Sequence, residues 1–159
     1  MTTNEADFLV RPAIEADCAE LTELALSSKA FWGYSDAFIR SCRSVLTVTP
    51  PMIDMWPNAV LEAKGEIAGF HFLSVQESLA ELELLYITPH CIGKGYGEKL
   101  FRDAISSAIR HGCEDMRIEA DPNALGFYKR MGAKQIGWCR SEVKDDRELP
   151  LMMLSLRNR

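Results

Sequence analysis

Three glycines at alternate positions, Gly93, Gly95 and Gly97, separate the apolar run Leu84-Leu85-Tyr86-Ile87 from an amphipathic stretch that begins at Tyr96. Glycine lets the backbone come close to a bulky group. The first turn of a helix offers unpaired N–H groups at the positive end of the helix dipole. A strand, a glycine loop and a helix start in that order form a cradle for phosphate, and Lys94 adds a cation in the same loop. The plainer reading is a tight glycine turn with no ligand. A nucleoside-triphosphate loop needs Gly-Lys followed by Ser or Thr to hold magnesium, whereas Gly95 follows Lys94 here. A dinucleotide loop needs G-x-G-x-x-G in an N-terminal β-α-β unit, and this G-x-G-x-G lies past mid-chain.

Other residue types can do chemistry. Glu81 and Glu83 stand two apart on one strand and therefore share a sheet face, as a pair of carboxylates or as two solvated side chains. Phe31-Trp32-Gly33-Tyr34 groups three aromatics around a glycine. Trp56 and Trp138 have no motif around them and read as packing residues. Cys91 precedes the cradle, where a helix N-terminus lowers a thiol's pKa, but no base partner is identified and a structural role is expected. The five cysteines show no C-x-x-C pair and the three histidines are scattered. They read as reduced thiols in a cytoplasmic protein, with no metal site.

The elements that must position these residues follow from periodicity. Phe8 to Arg11 is a strand stopped by Pro12. Asp17 with Glu20 has the form of a capping box for a helix to about residue 29. Ser35 caps a second helix, and Thr49-Pro50-Pro51 reads as another cap with prolines in its first turn, a stretch ended by Pro57-Asn58. Segments 59–63, 67–75 and 80–88 are strands, the first two joined by a tight turn at Lys64-Gly65-Glu66. Residues 95–111 form an amphipathic helix stopped by Gly112, and 116–120 a short strand. A short helix over 122–131 and closing strands at 135–143 and 149–156, around the polar turn Lys144 to Glu148, complete the order β-α-α-β-β-β-α-β-α-β-β. The strand–helix–strand unit over 80–120 is a right-handed crossover with parallel strands, and the remainder is antiparallel. The expectation is an α/β protein with a mixed sheet and helices on both faces, in one domain spanning 1–159.

Composition narrows the function classes. The chain has 159 residues, 47% hydrophobic and 26% charged, which fits one globular domain rather than a disordered or fibrous chain. With 18 basic and 23 acidic residues the net charge is −5, which gives no support to nucleic-acid or anionic-membrane binding. The N-terminus, Met1 to Asp7, lacks the basic and apolar regions of a signal peptide. No apolar run reaches the ~20 residues of a membrane span.

Two blocks carry a family resemblance. The first is Leu85-Tyr86-Ile87, Pro89, then Ile92-Gly93-Lys94-Gly95-Tyr96-Gly97, and the second runs from Asp121-Pro122-Asn123-Ala124 through Phe127-Tyr128 to Gly132-Ala133. In order and spacing they resemble the GNAT superfamily of acetyl-CoA-dependent N-acetyltransferases. Ile92 stands where the family often has Arg or Gln, and Asp121 where it often has Asn. The resemblance implies a three-layer fold with a mostly antiparallel sheet of about seven strands and a splayed central parallel pair. It implies acetyl-CoA as co-substrate, held by Leu85, Tyr86 and Ile87 along the strand, by Ile92, Gly93, Lys94, Gly95, Tyr96 and Gly97 at the pyrophosphate, and by Asn123 and Phe127. It implies Tyr128 as general acid toward the leaving thiolate, Glu81 or a chain of waters as base with Glu83 beside it, and Phe31, Trp32 and Tyr34 as walls of the acceptor pocket. The implied activity is acetyl transfer to a primary amine of a small molecule or peptide through a direct ternary complex, without a metal. Homodimers are common on such folds. A non-catalytic acyl-CoA-binding or regulatory module and a nucleotide-binding domain of another class are the competing readings.

Overall fold

The computed structural model describes residues 7–144 and 146–159. The reading of Met1 to Ala6, and Asp145 within the expected Lys144–Glu148 turn, fall outside the described residues. Seven strands form one sheet: β1 (Phe8–Arg11), β2 (Asn58–Ala63), β3 (Glu66–Gln76), β4 (Leu79–Ile87), β5 (Asp115–Glu119), β6 (Lys134–Arg140) and β7 (Glu148–Ser155). Their spatial order is β1-β2-β3-β4-β5-β7-β6. All neighbours are antiparallel except β4 and β5. This is the mixed sheet with one central parallel pair that the element order implied, and the crossover between those two strands is helix α4 (Tyr96–Arg110).

Helices α1 (Cys18–Ala30), α2 (Asp36–Leu46) and α3 (Pro50–Met55) cover one face. There Leu21, Leu24, Ala25, Cys42 and Leu46 pack on Val60, Phe70, Phe72 and Leu84. Helices α4 and α5 (Leu125–Arg130) cover the other face, where Phe101, Ala104, Ile105 and Ala108 pack on Leu73, Ala80, Leu82, Met116 and Ile118. Burying a large apolar side chain such as Phe101 in this way contributes roughly 1.5–3 kcal/mol. The amphipathic helices α2 and α4 turn their apolar stripes inward and their polar positions toward water, whereas α1 also buries Thr22 and Ser28.

Local chemistry explains the element ends. The β2–β3 turn has positive φ at both Lys64 (54°) and Gly65 (80°), the twist that joins two antiparallel strands through two residues. Ser35 Oγ accepts from Phe38 N–H and starts α2. Thr49 makes no such bond: Pro51 has no N–H to give, and Met52 N–H donates to the Thr49 carbonyl at 3.1 Å instead. Asp17 departs from the expected capping box. Its carboxylate accepts from Ile14 N–H (2.8 Å) and from Arg11 (2.8 Å and 3.1 Å), so it closes the preceding 3-10 turn instead of capping α1. The helix expected over 122–131 is a 3-10 turn, Pro122–Ala124, followed by α5. β6 stops at Arg140 rather than Val143, because the Ser141 hydroxyl captures Val143 N–H and turns the chain.

Candidate active site

β4 and β5 pair only at Leu79–Asp115, Ala80–Met116 and Glu81–Arg117. Beyond them β4 runs on to Ile87 and the parallel strands part. The β3–β4 register shifts at the same place: Phe72 pairs with Leu84 and Leu73 with Leu82, so Glu83 is an extra residue in a β-bulge. The bulge reverses the strand's faces. Ala80 and Leu82 join the α4 core, whereas Leu84 and Tyr86 join the α1 core. At the far end Thr88 N–H donates to Ala68 C=O at 2.8 Å. Antiparallel alternation then turns the N–H and C=O groups of Tyr86 toward β3 and those of Leu85 and Ile87 toward the opening. An open strand edge faces the gap, ready to pair with an extended amide-bearing chain.

A cavity of about 790 Å³ fills the gap. Its floor includes Leu85, Tyr86, Ile87 and Tyr128, and one end includes Ile92, Gly93, Gly95 and Gly97. Gly93 and Gly95 have φ of +87° and +85°, a left-handed backbone that L side chains avoid. Lys99 N–H donates to Gly95 C=O to start α4, which leaves the N–H groups of Tyr96, Gly97 and Glu98 without an acceptor in the helix. A Cβ built at Gly93 or Gly95 would meet only open space. This end of the cavity therefore offers free amides, a helix dipole and room for a bulky anion, and the residues fit the diphosphate and pantetheine parts of acetyl-CoA.

Tyr128 is buried on α5 and lines the cavity. Its ring packs edge-on against Phe101 (5.6 Å between centroids) and Phe127 (5.2 Å). Among the described residues none hydrogen-bonds its hydroxyl. Burial, and then the negative charge of Asp121, push the phenol well above the ordinary tyrosine range, so it carries its proton at neutral pH. Tyr86 is likewise raised, chiefly by burial. Glu83 lines the cavity and accepts from Ser74 Oγ at 2.6 Å. Glu81 is paired with Arg117, which also holds Glu119 at 3.1 Å. Burial raises the Glu81 carboxyl, Arg117 opposes this, and Glu83 and Glu119 reinforce it.

A polar knot closes the cavity on the α1 side. Asp121 accepts from Lys29 Nζ (3.0 Å), from the Tyr34 hydroxyl (2.9 Å) and from Asn123 N–H (2.8 Å). Arg147 Nη2 donates to Tyr34 Oη at 2.7 Å, and its guanidinium lies 5.1 Å from the Tyr34 ring and 4.9 Å from that of Phe38. Burial alone would raise Asp121, but Lys29, the Asn123 amide and Tyr34 outweigh it and hold the carboxyl below its usual range. Burial and Asp121 push Tyr34 up to about 12.

The family model for the acetyltransferase (GNAT) domain matches residues 57–146, which contain the open strand, the glycine cradle and Tyr128. The chain belongs to the GNAT acetyltransferase family. It is 30% identical over 122 residues to the peptidyl-lysine N-acetyltransferase YjaB of Salmonella typhimurium, covering 77% of each chain. It is 23% identical over 154 residues to the thialysine N-epsilon-acetyltransferase of Bos taurus, covering 84% of this chain and 90% of that one. The fold superposes on the PaiA N-acetyltransferase of Thermoplasma acidophilum, solved in complex with coenzyme A, with a TM-score of 0.77 at 20% identity, over 93% and 98% of the two chains.

Against that GNAT frame the expected site residues divide into groups. Leu85, Tyr86, Ile87, Ile92, Gly93, Gly95, Gly97, Asn123, Phe127, Tyr128, Glu83 and Trp32 all line the one cavity. Lys94 and Tyr96 do not: Lys94 is exposed, and Tyr96 packs against the cluster of β1, β2 and Leu100. Neither Glu81 nor Phe31 is part of the lining, and Phe31 is 52% exposed. Tyr34 spends its hydroxyl on Asp121, Arg147 and Asn123 and its ring on Phe38, so it is a strut between loops. Sequence reasoning missed Lys29, Glu119 and Arg147. The one signal for this knot was Asp121 in place of the family's Asn, a charge that calls for a cation nearby.

Among the described residues no helix is long and apolar enough to cross a membrane, and no three His, Cys, Asp or Glu side chains cluster as metal ligands.

Proposed function

We propose that this acetyltransferase moves an acetyl group from acetyl-CoA to a primary amine of a small molecule or peptide, in a direct ternary complex within one domain. The observation that carries the reading is the Tyr128 hydroxyl, hydrogen-bonded by no described residue, in the same cavity as an open strand edge and a cradle of free amides. Acetyl-CoA supplies the activated acyl group as a thioester. Leu85 and Ile87 offer main-chain N–H and C=O groups to the pantetheine amides. The amides of residues 93–98 hold the diphosphate, and Phe127 packs beside Gly97 at 3.7 Å from the position of a Cβ there. Tyr128 keeps its proton until a thiolate needs it, which is the task of a general acid.

The acceptor must arrive as a free amine, because an ammonium has no lone pair. Glu83 lines the cavity and takes that proton directly or through one water. The acceptor enters beside Trp32 and Lys29, over the knot centred on Asp121. Relatives named for peptidyl-lysine and thialysine support an amine acceptor. A pure acyl-CoA-binding module has no chemical use for the Tyr128 proton.

Release of free thiol from acetyl-CoA, measured across amino acids, polyamines and lysine peptides, tests the proposal. Amine-dependent thiol release is expected. Tight coenzyme A binding with no release above background for any amine would leave only the binding-module reading.

A further inference from the structure

We propose that His71 and Asp103 are positioning residues for acetyl-CoA: the bond between them sets the seat of α4 on the sheet, and with it the spacing between the glycine cradle and the open edge of β4. The inference rests on the site assignment above, and it concerns residues outside the cavity.

His71 lies in the middle of β3 and is fully buried. Phe70 and Phe72, on either side, belong to the α1 core, so His71 points the other way, toward α4. There Nε2 donates to Asp103 Oδ2 at 2.8 Å. The other ring nitrogen, Nδ1, is buried and has no partner among the described residues. A leucine or valine would fill this place without an orphaned polar atom. A buried polar pair that costs stability is expected where it fixes geometry.

The neighbouring contact shows which geometry. Gly69, two residues before His71, faces the same helix. A Cβ on Gly69 would come within 2.8 Å of Leu100 Cδ1, 2.6 Å of Ile87 Cδ1 and 2.8 Å of Tyr86 C=O. Helix α4 is thus pressed onto β3 where β3 has no side chain, and one turn further along Asp103 bonds His71. Leu100 and Asp103 are three apart and share a helix face, as Gly69 and His71 share a strand face. Two contacts, one steric and one directional, fix both the height and the roll of α4.

These same β3 residues hold the cofactor strand. Gly69 is the register partner of Ile87, and His71 of Leu85. Leu85 and Ile87 are the residues whose main-chain groups face the cavity. In one three-residue stretch of β3, the bare Cα of Gly69 and the imidazole of His71 seat the cradle helix, and Phe70 pairs with Tyr86 between the two open-edge residues. Gly95 lies eight residues, about 12 Å, along the axis from Asp103. A small tilt at the His71 contact is carried to the cradle amides. No other described element ties α4 to β3 by a hydrogen bond between side chains.

The test is calorimetric titration of coenzyme A into the wild-type chain, His71→Leu and Asp103→Ala, with Tm measured for each. Asp17→Asn, far from the cavity, is the control for lost stability alone. Both test variants are expected to raise the Kd of coenzyme A five-fold or more. His71→Leu should keep Tm within a few degrees of wild type, because it removes the orphaned nitrogen with the bond. The control should lower Tm with Kd unchanged. A Kd within two-fold of wild type in the folded variants would overturn the inference. If His71→Leu does not fold, Asp103→Ala decides instead: it strands His71 Nε2 in the core and lowers Tm, so its Kd is read against that of the destabilised Asp17→Asn control. A wild-type chain that does not bind coenzyme A would instead remove the site assignment, and this inference with it.

Discussion

Replacing Tyr128 by Phe separates chemistry from structure cleanly at this position. The ring keeps its edge-on contacts with Phe101 and Phe127, so the packing of α5 on the core is preserved. No described residue bonds the hydroxyl, so its loss strands no buried donor or acceptor, and stability should change by less than about 1 kcal/mol. What is lost is a proton donor facing the cavity. If Tyr128 protonates the departing thiolate, kcat should fall by one to two orders of magnitude, a barrier increase of about 1.4–2.7 kcal/mol. The Kd of acetyl-CoA should change less than two-fold, because the free amides and the open strand edge are untouched. The pH profile adds a second readout. The acid form is required and the phenol is raised above the usual tyrosine value, so activity that depends on it is present at neutral pH and is lost only on the alkaline side, above about pH 10. The assay is continuous thiol detection at saturating acetyl-CoA with the best amine of the screen. A kcat within two-fold of wild type, in a folded variant, would remove Tyr128 from the mechanism and leave solvent as the proton source.

Three further outcomes follow from the geometry. Gly95→Glu places a side chain at φ +85° and a carboxylate in the anion cradle. It should cost roughly 1–2 kcal/mol in stability and weaken coenzyme A binding at least ten-fold, and retention of wild-type affinity by calorimetry would disprove the cradle. Tyr34→Phe deletes a hydroxyl that donates to Asp121 and accepts from Arg147 and Asn123, and urea denaturation should show a loss of about 1–3 kcal/mol. Asp17 is held below the usual carboxylate range first by its bonds to Arg11, against burial and with help from Ile14 N–H. Its stabilisation is present above the unfolded value near pH 4 and is lost as pH falls through the folded one, so Asp17→Asn should lower Tm at pH 7 and much less at pH 3.

Much of this architecture was legible before any coordinates. The seven strands, the Lys64-Gly65 turn, the Ser35 cap and the amphipathic α4 follow from period, glycine and capping chemistry, which act over a few residues. The cradle was legible for the same reason, since free amides at a helix start need only the local backbone. The errors were also local. The Asp17 capping box failed because Arg11 and Ile14 N–H compete for the same carboxylate, and β6 ended early because Ser141 captures a backbone donor.

What the chain order alone settled is a local backbone, a strand feeding a glycine loop and a helix start, and the position of a tyrosine two elements later. What only the folded molecule decided is which side chains share the cavity. The bulge at Glu83 turns the strand over, so residues of equal parity before and after it serve opposite cores. Lys29, Tyr34, Asp121 and Arg147 meet although 118 positions separate the first from the last. Partial burial makes each of their charges costly unless another segment answers it, and that requirement acts through space between segments that have no periodic relation in sequence.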